Sequence, residues 1–279
     1  MFRFLLFIGI LLVFCSSCQK SKLKSPDAAF IIVSEPVVQT TVSVQGSNSS
    51  KITDIWYYVD DEFKGIFPVG SIMPVLQAGD TKITMFAGIK NNGISATRLP
   101  YEFYQAAILN QNFEIGKTYT VNPVFEYVTS AIFPRKENFD GSGFIFKSVG
   151  DSSYTLISNP NKVFGGAGKS VFMSMSDAKP TAQMITTSPL NLPVGGAPVY
   201  LELNYKCNQP FVVGVVGGGT EVRTALTVNT SSEWNKIYVQ LTAAVSTQPT
   251  YAYYDIFIKA TKQTDTPEIY IDNVKLVTR

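Results

Sequence analysis

The segment FGGAGKSV at residues 164–171 is the first stretch whose composition suggests chemistry. Glycines followed by Gly-Lys-Ser are typical of loops whose backbone amides hold nucleotide phosphates. The spacing does not fit, because such a loop has another glycine five positions before Gly168, where this chain has Val163. The residues after Lys169 alternate as a strand, whereas a phosphate loop leads into a helix. We therefore interpret the glycines as turn residues and predict no nucleotide site.

The composition removes most forms of side-chain catalysis. The 279 residues include no histidine and three cysteines, of which Cys15 and Cys18 lie in the amino-terminal segment. The lack of histidine excludes Ser-His and Cys-His nucleophiles, and the remaining Cys207 cannot build a thiolate zinc site alone. Carboxylate pairs stay open as a catalytic device, but no Gly-x-Ser-x-Gly turn occurs. We predict that the protein is not an enzyme.

The charge balance argues against nucleic acid as a partner. The chain has 23 basic and 21 acidic residues, a formal net charge of +2, with no basic block. Because nucleic-acid affinity comes mainly from neutralised phosphates, a nearly neutral chain is a poor binder.

The amino terminus predicts export and lipid anchoring. Arg3 precedes an apolar run over residues 4–14, which is shorter than the ~20 residues that span a bilayer and fits a secretory signal peptide. The sequence CSSC at residues 15–18 resembles a bacterial lipobox, which predicts a signal peptide over residues 1–17 and a lipidated Cys18. The alternative is an ordinary cleaved signal peptide with two incidental cysteines.

The residues after the lipobox predict a tether at the outer membrane of the cell envelope. Residues 19–26 carry three lysines and no acid, and we interpret residues 18–27 as a flexible, solvated linker. Surface-exported lipoproteins of some Gram-negative groups carry acids just after the cysteine. Their absence here favours the periplasmic side, while the surface-facing alternative stays open.

The chain after the tether is predicted to be all-β. Short runs rich in Val, Ile, Tyr, Phe and Thr alternate with Gly, Pro, Asn and Asp. In VYLELNYKC, residues 199–207, apolar and polar positions alternate, and one buried and one wet face is what a β-sandwich requires. A boundary near residues 129–136 separates two predicted β-sandwich domains, at residues 28–130 and 137–279.

The first domain contains a recurrent turn pattern. A turn at Asp60 and Asp61 is followed by Gly65, and Gly79 precedes a further strand. This pattern resembles the PEGA-type and carboxypeptidase-regulatory-type β-sandwich modules. The resemblance implies an accessory domain that acts as a spacer.

The second domain opens and closes with recognisable elements. It begins with ENFDG at residues 137–141, it ends with a strand that contains IDNV at residues 271–274, and Trp234 precedes an amphipathic strand. These elements resemble the jelly-roll β-sandwich of carbohydrate-binding modules and galactose-binding-like domains. The resemblance implies a jelly roll that binds carbohydrate.

The same resemblance implies a structural calcium ion, because such jelly rolls often hold one where the entering turn meets the closing strand. Glu137, Asp140 and Asp272 stand at the matching positions, and oxygen atoms are the ligands that calcium takes. The alternative is that Asp272 caps a turn or pairs with a lysine while Glu137 and Asp140 are solvated.

A sugar site is predicted on the wet face of two strands of the jelly roll. Small-ligand sites combine aromatic rings with a few polar groups, and sugars stack on such rings. Tyr200 and Asn204 lie on the wet face of one strand, Tyr238 lies on that of the next, and Tyr253 follows in the sequence. The alternative is that these residues simply suit half-buried strand positions.

These expectations describe a lipid-anchored protein of the cell envelope whose jelly roll binds glycan and whose first domain is a spacer. Its membrane contact is predicted through the lipid anchor alone. The alternative is a structural lipoprotein, or one that binds an envelope protein, without a sugar site.

Overall fold

The structure of the protein is a computed structural model that describes residues 27–279. The predicted signal peptide, the lipidated Cys18 and the tether up to residue 26 lie outside the described residues and stay predictions. Within the described part, no helix is long and apolar enough to cross a membrane.

The N-terminal domain consists of short strands and one helical turn. Their bounds are β1 Ala29–Val33, β2 Val37–Gln39, α1 Val42–Gln45, β3 Asp54–Val59, β4 Glu62–Pro68, β5 Ile72–Val75, β6 Gly79–Lys90, β7 Arg98–Pro100, β8 Ala107–Phe113, β9 Thr118–Val121 and β10 Val124–Glu126.

Two layers enclose the core of the N-terminal domain. One layer is the sheet β4-β3-β6-β7, in which β8 also pairs with β6, and the other contains the sheets β5-β1-β9 and β10-β2. Successive side chains of a strand point to opposite faces, so in β3 Ile55, Tyr57 and Val59 are buried in the core. Trp56 and Tyr58 lie on the outer face of the same sheet and are half-buried.

The second domain contains eleven strands, and the last of them is the predicted closing strand. They are β11 Ile132–Glu137, β12 Phe146–Val149, β13 Thr155–Ile157, β14 Ser170–Ser174, β15 Thr181–Thr186, β16 Val199–Cys207, β17 Phe211–Gly217, β18 Glu221–Val228, β19 Ser231–Gln240, β20 Tyr254–Thr261 and β21 Glu268–Thr278, with a single 3₁₀ turn at Phe164–Gly166 and α2 at Thr242–Ser246.

These strands form two antiparallel sheets that face each other. The front sheet has the order β13-β14-β21-β16-β19, with β11 also paired to β21, and the back sheet has the order β12-β15-β20-β17-β18. Leu201 and Leu203 of the front sheet and Val213 and Val215 of the back sheet are buried in one core between the two sheets. The protein is therefore all-β, as the sequence predicts.

The second domain begins earlier than predicted. Strand β11 starts at Ile132, which pairs with Thr278, and Lys136 pairs with Lys275. The segment 129–136 was expected to separate the domains, but most of it is the first strand of the front sheet. Local composition does not reveal this, because the pairing partner lies at the other end of the chain.

Strand β21 changes its partner at Asp272. Its first half pairs with β14 up to Ile271, and its second half pairs with β11 from Val274 onward. Asn273 has a positive φ of 47°, and the register shifts there relative to β16, which defines a β-bulge. The IDNV motif therefore marks the point where two strands meet on one edge of β21.

The N-terminal domain lies against the outer face of the front sheet. Tyr200, Tyr238 and Val277 belong to the front sheet but pack into the apolar cluster of the N-terminal domain. Asn92 donates its backbone N–H to the carbonyl of Tyr238 at 3.0 Å, and its side-chain oxygen Oδ1 accepts the backbone N–H of Gln240 at 2.8 Å. The two domains are therefore joined by both apolar packing and hydrogen bonds.

Candidate functional site

Three of the four predicted sugar-binding residues are buried, and two of them, Tyr200 and Tyr238, pack against the N-terminal domain. Tyr200, Asn204 and Tyr238 have 1%, 2% and 2% of their surface exposed. The ring of Tyr101 packs on both tyrosines, with centroid distances of 5.3 Å to Tyr200 and 4.9 Å to Tyr238. The prediction that they lie on a wet face is therefore wrong, because the N-terminal domain covers this half of the front sheet.

The fourth residue, Tyr253, is 43% exposed but lies elsewhere. It directly precedes β20 of the back sheet, whereas Tyr200 and Tyr238 lie on β16 and β19 of the front sheet. The structure does not bring the four residues together into one site.

The covered half of the front sheet contains a buried charged group of side chains, Glu202, Lys236 and Lys275, of which Glu202 bonds to the N-terminal domain. Glu202 accepts hydrogen bonds from the hydroxyls of Tyr101 at 2.9 Å and Tyr127 at 2.8 Å, and its carboxylate lies 3.1 Å from the ammonium of Lys236. Burial raises the pKa of Glu202, but the charges of Lys236 and Lys275 and the two tyrosine hydroxyls outweigh it and leave the pKa below its usual range.

Lys275 is the second cation of this group and is 1% exposed. Its ammonium donates to the backbone carbonyl of Ser47 at 2.7 Å and to the Tyr127 hydroxyl at 3.1 Å. Burial lowers the pKa of Lys275 to about 8, although the charge of Glu202 opposes this shift. These buried side chains therefore link the two domains through hydrogen bonds and an ion pair that are closed to solvent.

The three predicted calcium ligands are used as hydrogen-bond acceptors. The two carboxylate oxygens of Glu137 accept the backbone N–H groups of Phe139 at 2.8 Å and Ile145 at 3.0 Å. Asp272 accepts the hydroxyl of Ser170 at 2.5 Å and the backbone N–H of Asn273 at 2.6 Å. Glu137 is buried, so the alternative of a solvated side chain at this position is wrong. Asp272 accepts the backbone N–H of Asn273, the residue at the β-bulge.

The electrostatics of Asp272 reflect a crowded acidic region. Burial raises its pKa to about 6, the bonds from Ser170 and Asn273 oppose this, and the charges of Asp140 and Glu137 add to it. Even so, no group of three or more Asp, Glu, Cys or His side chains within residues 27–279 is arranged to hold a metal ion. As placed, these side chains do not fit a calcium site, and the calcium ion stays a prediction.

The glycine-rich loop holds a carboxylate of its own chain. Gly165, Gly166 and Gly168 have positive φ values of 66°, 75° and 77°, and strand β14 follows from Ser170, as the sequence predicts. The Lys169 backbone N–H donates to Asp140 at 2.7 Å, and the Asp140 carboxylate lies where a side chain at Gly168 would begin.

The other half of the front sheet is not covered by the N-terminal domain. The register places Phe172, Tyr270 and Lys206 in one row across β14, β21 and β16 on its outer face. Phe172 and Tyr270 are stacked at 5.0 Å with an interplanar angle of 20°. Lys162 lies over both rings and pairs with Glu268 at 3.1 Å, and Glu268 also accepts the Tyr270 hydroxyl at 2.9 Å.

A cavity of about 720 Å³ opens beside this row. It combines one aromatic side chain with a cation, a carboxylate, an amide and hydroxyls, and its polar and aromatic lining includes Lys206, Asn208, Ser231, Ser232, Glu268 and Tyr270. This mixture suits a ligand with many hydroxyl groups, because apolar faces and hydrogen-bonding groups are presented together.

Two of the residues that line this cavity lie on the predicted wet face of the sheet, in the half that the N-terminal domain leaves uncovered. Lys206 follows Asn204 by two positions on β16, and Tyr270 precedes Asp272 by two positions on β21, so alternation alone places both on the predicted wet face. The missing information was the position of the N-terminal domain.

Comparisons with solved structures find similarity to about half of the chain. No protein-family model and no curated protein sequence matches the chain. A cleaved adhesin domain of Lys-gingipain from Porphyromonas gingivalis is 17% identical, covers 54% of this chain and 100% of its own, and gives a TM-score of 0.40.

Two carbohydrate-binding modules show the same level of similarity. TmCBM61, in complex with β-1,4-galactotriose, is 12% identical over 48% of this chain and 88% of its own, with a TM-score of 0.35. A variant of the family 29 module CBM29-2, complexed with mannohexaose, is 14% identical over 54% of this chain and 94% of its own, with a TM-score of 0.39. At these TM-scores the fold assignment rests on the strand order described above.

Proposed function

We propose that this protein is a non-catalytic, lipid-anchored glycan-binding protein of the cell envelope. The jelly roll binds the glycan at the open half of its front sheet. The N-terminal domain is docked on the other half and holds the jelly roll at a distance from the lipid anchor.

The observation that carries this proposal is the cavity beside the row of Phe172, Tyr270 and Lys206. Tyr270 lines the cavity with its ring stacked against Phe172 behind it, and Lys206 and Asn208 place an ammonium and an amide beside that ring. Hydroxyls of a sugar ring are matched by such groups, since both donors and acceptors are present.

Support for the lipid anchor comes from the amino-terminal sequence. The apolar run over residues 4–14 and the CSSC sequence at residues 15–18 favour acylation of Cys18. Acyl chains partition into a membrane at about 0.8 kcal/mol per buried CH₂, and more than one chain makes a stable anchor. Mass spectrometry of the purified protein tests this part, because Cys18→Ser removes the acyl mass and releases the protein from the membrane fraction.

Glycan binding is tested by calorimetry with β-1,4-galactotriose and mannohexaose, which are named in the complexes of the two carbohydrate-binding modules above, and with xylohexaose as a third neutral oligosaccharide. The double variant Lys206→Ala with Asn208→Ala is expected to weaken binding at least tenfold. Lys206 makes no core contact, whereas Asn208 bonds to the backbone of Thr266 and Glu268, so the single variant Lys206→Ala and a circular dichroism spectrum of the double variant separate lost binding from lost structure. Tyr253→Ala is the matched control, since Tyr253 is an exposed side chain outside this cavity.

Two results would count against this assignment. One is the absence of binding to all three oligosaccharides and to a wider array of glycans. The other is binding that the Lys206 and Asn208 substitutions leave unchanged, because the ligand would then contact another surface. The first result would favour a structural role or an envelope protein as the partner.

A further inference from the structure

The outer face of the N-terminal sheet carries a cluster of aromatic and aliphatic side chains that is open to solvent. The register places Tyr58 opposite Phe63, Trp56 opposite both Ile66 and Phe86, and Thr84 opposite Ile108, all on the face away from the core. We call this surface the aromatic face, and its members are Trp56, Tyr58, Phe63, Ile66, Phe86 and Ile108.

The rings of the aromatic face form one continuous surface. Phe63 lies 5.8 Å from Trp56 and 5.2 Å from Tyr58 between centroids, and Tyr58 lies 5.5 Å from Phe86. Phe63 is 51% and Ile108 59% exposed. Four aromatic side chains on three adjacent strands therefore present an extended apolar surface to the solvent.

Two polar atoms within this surface lack partners. The indole N–H of Trp56 and the hydroxyl of Thr84 are buried and make no hydrogen bond. Such groups are rare in folded proteins, because a buried polar atom without a partner is destabilising. A hydroxyl-bearing ligand that moves the rings apart slightly would satisfy them, whereas a purely apolar partner would not.

The aromatic face continues into a polar cavity of about 390 Å³. Lys82 and Asn110 pair across β6 and β8 on the same outer face, one row beyond Thr84 and Ile108, and both line this cavity. Its other polar groups include Asp80 and Asn112, which are hydrogen-bonded to each other at 2.9 Å. Rings that suit stacking and groups that suit hydroxyls thus lie side by side.

The charge around the aromatic face selects among ligands. Asp60 and Asp80 line the polar cavity together with Lys82. Lys82 pairs with Asp61 at 2.8 Å and Lys64 pairs with Glu62 at 2.6 Å, so the two lysines offset only part of the charge of these four acids. The excess negative charge disfavours anionic lipid headgroups, nucleic acid and acidic polysaccharides. A neutral ligand avoids this repulsion.

The geometry points to a second, independent ligand site: the aromatic face of the N-terminal domain binds a neutral glycan chain. The sugar faces stack on Phe63, Tyr58 and Trp56, and their hydroxyls reach Lys82 and Asn110. This domain is then a binding module in its own right rather than only a spacer. The assignment does not depend on the cavity of the jelly roll.

Tryptophan fluorescence tests this site directly, since Trp56 and Trp234 are the chain's two tryptophans. In the Trp234→Phe background, β-1,4-galactan, mannan and xylan are titrated against the full-length protein while Trp56 emission is recorded. At least one neutral polysaccharide is expected to shift the emission, and chondroitin sulfate is expected not to do so. Adding Phe63→Ala should weaken the binding at least tenfold, whereas adding Tyr253→Ala or the pair Lys206→Ala and Asn208→Ala should leave it unchanged.

Three outcomes would overturn the assignment. The first is an emission that no neutral polysaccharide changes. The second is a shift that persists at full affinity in the Phe63→Ala protein, although its circular dichroism shows a native fold. The third is a dimer in the parent protein that Phe63→Ala converts to monomer, because the aromatic face would then bind a second copy of the chain.

Discussion

Tyr101 of the N-terminal domain donates its hydroxyl hydrogen to the carboxylate of Glu202 in the jelly roll, with an oxygen–oxygen distance of 2.9 Å. Desolvation raises the pKa of Tyr101, and the neighbouring Glu202 charge raises it further, so the phenol stays a donor. The acceptor lies on the front sheet, and the donor belongs to the domain that covers it. This bond therefore lies in the covered half of the sheet face on which the sequence predicts a sugar site.

Replacing Glu202 with alanine should destabilise the protein strongly. The substitution leaves Lys236 and Lys275 buried without a counter-charge, and breaking a buried ion pair in this way costs about 3–5 kcal/mol. The free energy of unfolding from urea denaturation measures the effect. Glu62→Ala is the control, because its pair with Lys64 is exposed and is worth less than about 1 kcal/mol.

Lys275 should make stability rise with pH in the alkaline range. Its pKa is about 8 in the folded protein against 10.5 as the reference for the unfolded chain, so between these values the unfolded state binds more protons. The free energy of unfolding of the wild type minus that of Lys275→Met should therefore increase from about pH 8 to 10.5 and be constant just below that window. A difference that stays flat across this range would contradict a neutral, buried lysine.

Asp272 should make the free energy of unfolding fall as the pH rises in the acid range, the opposite of the effect of Lys275. Its pKa is raised from 3.8 to about 6 on folding, so the folded state binds more protons between these values, and stability falls as the pH rises through them. The difference between the wild type and Asp272→Asn should therefore decrease from about pH 4 to pH 6 and then level off.

The wild type and Asp272→Asn also test the predicted calcium ion. As the carboxylates are placed, we expect equal melting temperatures in excess EDTA and in excess calcium. If calcium instead raises the melting temperature of the wild type but not that of Asp272→Asn, the predicted metal site is established. Bound calcium would then also lower the pKa of Asp272.

Gly168→Ala should cost more stability than Gly165→Ala. Both glycines have a positive φ, so both substitutions carry a backbone strain of about 1 kcal/mol. Only at Gly168 would the new methyl group also meet the Asp140 carboxylate, while the space at Gly165 is empty. Thermal denaturation of the two variants measures the difference, and equal losses would show that Asp140 does not depend on this glycine.

Several features of the protein follow from local sequence alone. Alternation in VYLELNYKC and the glycines before Ser170 predict a strand and a turn, and the structure contains both. The all-β fold follows from such patterns because side-chain alternation and positive φ are properties of a residue and its near neighbours. The absence of histidine likewise excludes its chemistry in any fold.

Only the tertiary structure decided which surfaces are open. Tyr200 and Lys206 occupy equivalent alternating positions on β16, yet Tyr200 is buried and Lys206 lines a cavity. Their difference arises because the N-terminal domain docks on one half of the front sheet, through contacts between residues about a hundred positions apart. Periodicity assigns a side chain to a face of its sheet, but whether another domain covers that face depends on packing between distant segments.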